Sequence, residues 1–139
     1  MTIQGEQSMT DANEFRLSTI EQIALNVKDV DRAVAFYRDT LGMKHLFSAP
    51  PNLAFFDCDG IRLMLSPPPK PEFDHPGSII YFKVADIQRA YVTLSERGVH
   101  FEEGPTLVAD MGTYNLWIAS FRDSEGNVLA LMSNVPKTS

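Results

Sequence analysis

The chain has a single cysteine, Cys58, among its 139 residues. No intrachain disulfide can form, which fits a reducing, cytoplasmic setting. Cys58 falls within a strand pattern with no base placed beside it, and reads as a buried, inert thiol. No apolar run approaches the roughly 20 residues that a membrane helix needs, so no membrane association is expected. Cations are outnumbered: 12 Lys and Arg against 18 Asp and Glu give a net charge of −6. Nucleic acid requires a basic face and is not an expected partner. The three histidines, His45, His75 and His100, match no local metal motif in their spacing. GxSxG, a Walker loop, HExxH and CxxC are all missing. The opening MTIQGEQSMTDANEFRLST has neither an Arg/Lys-rich start nor an apolar core. It therefore reads as a flexible tail over residues 1–18 rather than a secretory leader.

What is present is periodicity. In IEQIALNVKDVDRAVAFYRDTLG, Ile23, Leu25 and Val27 alternate with Gln22, Ala24 and Asn26, the pattern of a two-faced strand. Val30, Ala33, Val34, Tyr37 and Leu41 then fall on one helix face. Asp29 stands as the N-cap, and Gly42 is placed to end the helix in a left-handed conformation. Three strands are expected next: Met43 to Ala49, Leu53 to Cys58, and Ile61 to Ser66. Asp59-Gly60 is a two-residue hairpin signal, because both residues tolerate positive φ. The stretch Pro67 to Gly77 holds five of the nine prolines and reads as a semi-extended linker.

The pattern then repeats. Val27 and Val84, Asp29 and Asp86, Arg32 and Arg89, and Ala33 and Ala90 are each 57 residues apart. A second strand–turn–helix is therefore expected, with Ile80, Phe82 and Val84 on one strand face and Ile87, Ala90, Tyr91 and Leu94 on one helix face. Strands over Val99 to Glu103, Leu116 to Arg122 and Asn127 to Ser133 complete it. Gly104 to Asn115 reads as a long loop, either a lid over a site or an ordinary crossover. The expected fold is α+β: two tandem βαβββ modules, residues 19–66 and 78–134, joined by the linker 67–77 and followed by a tail 135–139. Together they form a curved mixed sheet around a concave cleft, with helices on the outer face.

Paired βαβββ modules, the segment IALNVKDVDRAVAFYRDTLGM and the late hairpin FRDSEGNVLALM resemble the vicinal oxygen chelate superfamily. That group includes glyoxalase I, extradiol dioxygenases and the bleomycin and fosfomycin resistance proteins. The resemblance spans about Thr19 to Asn134. It implies a ligand site on the inner face and a homodimer, with the site often shared between chains. It also marks four positions where the group's metalloenzymes place ligands, which fall here on Gln22, Met64, Ile79 and Ala130. Only Gln22 offers a donor of the expected kind. Alkyl side chains donate nothing, and a thioether suits hard cations poorly. No metal centre and no cofactor are expected.

Strand alternation fills the inner face with Gln22, Ala24 and Asn26, with Phe55 and Asp57 opposite Met64 and Arg62, and with Ile79, Tyr81 and Lys83 beside Val128, Ala130 and Met132. Such a mostly apolar face with a few polar groups suits a hydrophobic or aromatic small molecule. The ligand-binding set is Gln22, Asn26, Phe55, Arg62, Met64, Ile79, Tyr81, Trp117 and Ala130. Two readings stay open for several of these: Gln22 as ligand contact or as an amide satisfied within the sheet, Asp57 and Arg62 as a cross-strand ion pair, and Trp117 as stacking platform or structural anchor. The expected activity is binding or sequestration of such a ligand without metal. A metal-independent lyase or isomerase is the alternative, a purely structural or regulatory dimer comes next, and a metal-dependent glyoxalase- or dioxygenase-like enzyme is the least favoured.

Overall fold

Two aspartates start the two helices in the same way. In the computed structural model, which describes residues 15–137, Asp29 and Asp86 both adopt extended backbone, at φ −125° and −130°. Each accepts a hydrogen bond from the N–H three residues on, Arg32 at 3.0 Å and Arg89 at 3.1 Å. A short side-chain oxygen at this position satisfies an N–H that the first helical turn leaves without a partner. The helices that follow are α1, Val30–Ala35, and α2, Ile87–Glu96. A π-helical turn, Phe36–Thr40, extends α1, with the Leu41 N–H reaching the Phe36 carbonyl at 2.9 Å. Gly42 follows with φ at 75°, the left-handed conformation expected there.

Around these helices the chain builds β1 Gln22–Asn26, β2 Lys44–Ala49, β3 Leu53–Cys58 and β4 Ile61–Ser66, then β5 Ile80–Lys83, β6 Phe101–Asp110, β7 Tyr114–Arg122 and β8 Val128–Pro136. They form two four-stranded mixed sheets, ordered β1-β4-β3-β2 and β5-β8-β7-β6. The first strand of each sheet runs parallel to the last, and the remaining pairs are antiparallel. The tandem βαβββ expectation holds. The sheets stay separate in hydrogen bonding, with no strand ladder between them among the described residues. Asp59 and Gly60 turn β3 into β4 at φ 52° and 99°, so Asp57 pairs with Arg62 and Phe55 with Met64 as the two-residue hairpin requires.

Several boundaries differ from the sequence reading. Most of the expected loop Gly104 to Asn115 is strand: β6 continues to Asp110 and β7 begins at Tyr114, leaving only a tight turn between them. Gly104 and Pro105 look like strand breakers, but β6 is an edge strand with three irregularities in its register, and an edge tolerates both. At the C-terminus, β8 runs through Val135 and Pro136, two residues that the sequence assigns to a tail. Most of the expected N-terminal tail lies outside the described residues. Cys58 is half-buried rather than buried; burial first, then the charges of Asp57 and Asp59, push its thiol up in pKa.

One core serves both modules. Leu25, Val27, Ala33, Tyr37, Phe56, Leu63 and Leu65 from the first meet Ile87, Leu94, Ala119, Phe121, Leu129 and Leu131 from the second. A polar bracket fastens them. The fully buried Tyr37 donates its hydroxyl to Asp123 at 2.7 Å. Asp123 also accepts from the backbone N–H of Glu125 and of Asn127, both at 2.8 Å, and from the Asn127 amide at 2.9 Å. Glu125, whose side chain is closed off from solvent, accepts from the Lys28 and Asp29 N–H groups at 2.9 Å and from Arg32 at 2.7 and 3.0 Å. Asn127 completes the bracket by donating to the Asn26 carbonyl at 3.0 Å.

The Arg32 hydrogen bond, helped by the Asp29, Ser124 and Lys28 donors, holds the Glu125 carboxyl at about 2 against its burial. Because folding lowers this pKa from an ordinary 4.5, the stabilisation is complete above about pH 4.5 and is lost as pH falls through about 2. Glu125→Gln should cost about 2 kcal/mol at neutral pH by urea unfolding. Its melting temperature should also vary less than wild type between pH 4.5 and 2. Equal stability and an unchanged pH profile would remove Glu125 from the bracket. Tyr37→Phe, which leaves the buried Asp123 short of one donor, should cost about 1–3 kcal/mol in the same assay.

Candidate functional site

Register decides which side chains meet on the face away from the helices. The parallel β1–β4 pairing sets Gln22 beside Arg62 and Ala24 beside Met64. Arg62 Nε donates to Gln22 Oε1 at 2.7 Å, and the Gln22 amide makes a long contact with Met64 Sδ at 3.8 Å. The Arg62 guanidinium also lies over the Phe55 ring, 5.1 Å from its centroid. Phe47 stacks on Phe55 at 4.7 Å with the planes 34° apart. Four of the expected site residues, Gln22, Arg62, Met64 and Phe55, thus form one cluster: a fixed cation on an aromatic and thioether surface. Arg62 does not pair with Asp57. Asp57 Oδ1 instead accepts from the Gly60 N–H at 3.1 Å and closes its own hairpin.

The face continues into a cleft of about 590 Å³ between β1 and β5. Ala24 and Asn26 line it from β1, Ile79 and Tyr81 from the start of the second module, and His75 and Asn127 from the two connecting segments. Its size lies within the range of small-molecule sites, roughly 300–1,000 Å³. Tyr81 and Ile79 are nearly half exposed, at 47% and 45%, and Ile79 precedes β5 instead of forming part of it. Asn26 is not a free strand-end amide: it donates to the Phe73 carbonyl at 2.6 Å. The proline-rich linker therefore docks on β1 through its short 3-10 turn, Pro71–Phe73.

Ala130, the register partner of Tyr81, shares its face of the sheet but is buried there at 1% exposure. Trp117 shares the core side of β7 with Ala119 and Phe121 and packs near the start of α2. Its alternation with those two residues carries that placement. The sequence reading missed Phe47, because a register shift between His45 and Phe47 breaks the alternation of β2. It also missed His75 and Asn127, which enter from a linker and a turn where no period exists.

The comparisons decide the family. Residues 19–131 match the Glyoxalase/Bleomycin resistance protein/Dioxygenase superfamily. The chain belongs to that superfamily. An uncharacterized protein of Bacillus subtilis (strain 168), YurT, is 31% identical over 76% of this chain and 91% of its own length. Among solved structures, lactoylglutathione lyase from Agrobacterium tumefaciens superposes with a TM-score of 0.70 at 24% identity, covering 84% of this chain and 94% of that one. TnmS3, an antibiotic binding protein from Streptomyces sp. CB03234, gives 0.71 at 22% identity, covering 89% and 100%. At such identities the two structures speak for the fold alone.

The metal centre that superfamily metalloenzymes carry does not fit these side chains. Of the four marked positions, Met64, Ile79 and Ala130 carry no nitrogen or oxygen donor, and Gln22 directs its one oxygen at a guanidinium. Among the described residues, no three His, Cys, Asp or Glu side chains gather as a ligand set.

The Arg62 contacts lie at the surface, where a cation–π contact and a neutral hydrogen bond contribute little. Arg62→Ala should lower stability by about 0.5–1 kcal/mol in chemical denaturation. A loss of several kcal/mol would make Arg62 part of the scaffold and not of a recognition surface.

Proposed function

We propose that the protein binds or sequesters an aromatic or otherwise apolar small molecule on this inner face, without metal chemistry. One observation carries the reading: Arg62 is held by Gln22 over Phe55, with Phe47 and Met64 alongside, on a surface left open beside the 590 Å³ cleft. A flat ligand gains apolar contact from the half-exposed Phe47 ring and the thioether, while Phe55, buried at 9% exposure, backs the guanidinium. The guanidinium supplies direction, stacking on a π-face or hydrogen-bonding an acidic or carbonyl oxygen. TnmS3, which shares this fold, is an antibiotic binding protein, in keeping with such a role.

The site is proposed to be completed by a second copy of the chain. Phe47, Ile79 and Tyr81 are each close to half exposed, more than a closed ligand site leaves open. A cytoplasmic homodimer that binds neither nucleic acid nor membrane accords with the lone cysteine and the acidic balance. Among the described residues, no helix is long and apolar enough to cross a membrane.

A thermal-shift screen with planar aromatic acids, quinones and neutral polycyclic compounds tests the reading. At least one class should raise the melting temperature, and Arg62→Ala and Phe55→Ala should each weaken that ligand about tenfold or more by calorimetry. A panel with no stabilising compound, or a ligand indifferent to both substitutions, would contradict it. Light scattering should return twice the 15.5 kDa chain mass; a monomer at micromolar concentration would remove the shared-site proposal.

A further inference from the structure

On the helix side, away from the inner face, the modules leave an apolar hollow of about 310 Å³. Eight of its ten lining residues are apolar. Leu41 and Met43 close it from the end of the first module's helix, Ala90 stands on α2, and Phe121, itself fully buried, lies at its floor. The two polar members, Thr93 and Arg97, lie at successive turns of α2 and its C-terminal cap.

Arg97 is held in place. Its Nη1 donates to the Thr40 carbonyl at 2.9 Å, tying the end of one helix to the end of the other. No carboxylate lies within ion-pair distance of it among the described residues. The Nε–Nη2 edge, the edge that grips a carboxylate with two parallel bonds, has no protein partner among them. An apolar cavity of ligand size with one oriented, unpaired guanidinium at its rim matches a molecule with an apolar body and one anionic end.

We propose that this hollow is a second binding site, distinct from the inner face, for a small apolar carboxylate, with the hydrocarbon against Leu41, Met43 and Phe121 and the carboxylate on Arg97. Because both modules contribute walls, occupancy fastens the junction between them.

The test is a methyl-NMR titration with naphthalene-1-acetate and, separately, its neutral amide. The acid should shift the Leu41, Met43, Val84 and Leu94 methyl signals and leave Met64 in place. The amide should bind about tenfold or more weakly, the loss of one charge-assisted pair. Arg97→Gln, a change at an exposed position, should reduce the acid to the level of the amide. Ala90→Phe, which fills the hollow, should abolish both. Equal binding of acid and amide to the wild type, shifts confined to the inner face, or no shift at millimolar acid would each overturn the proposal.

Discussion

The turn Asp123–Asn127 is the constraint on which the rest of the architecture depends. Its two carboxylates are buried, and buried carboxylates are tolerable only when every oxygen is satisfied. Asp123 meets that demand with its own hairpin and with Tyr37 across the junction. Glu125 meets it with the start of α1 and with Arg32. Satisfying these groups fixes the second module's last hairpin against the first module's helix. Among the described residues no strand ladder joins the two sheets, so this bracket, the shared apolar core and the Arg97–Thr40 bond hold the modules in register. The width of the cleft between β1 and β5 follows from that fastening.

The duplication gives equivalent backbone positions different chemistry. Ala24 beside Met64 in the first module corresponds to Tyr81 beside Ala130 in the second. The position of Gln22 is taken by Ile79. A symmetric scaffold thus carries an asymmetric inner face, with its cation and stacked rings on one module and its half-exposed tyrosine on the other. Of the positions where the superfamily's metalloenzymes place ligands, Met64, Ile79 and Ala130 offer no nitrogen or oxygen donor here, and Gln22 engages the Arg62 guanidinium.

Much of the fold was legible because it rests on local rules. Asp29 and Asp86 announce their helices through capping, the 57-residue offset carries that signal twice, and Asp59-Gly60 announces a hairpin through positive φ. The failures share a different origin. β6 hides behind Gly104 and Pro105 because only its place at a sheet edge makes those residues acceptable. The register shift in β2 conceals Phe47. The docking of the linker on Asn26, and the bracket at Asp123 and Glu125, depend on contacts about 50 to 100 residues apart in sequence, which no periodicity reports. Candidate-site residues were legible as a face, from alternation, and not as a cluster. The pairing of Arg62 with Gln22 instead of Asp57 is a choice among neighbours that only geometry makes.

The proposed function has this inner face recognise its ligand through a guanidinium and aromatic rings in place of a metal. The decisive experiment is isothermal titration of the chelator-treated protein with Zn²⁺, Ni²⁺, Mn²⁺ and Fe²⁺, each followed by elemental analysis after desalting. No stoichiometric uptake of any of the four is expected. One ion retained per chain, and lost in Gln22→Ala, would overturn the metal-free reading.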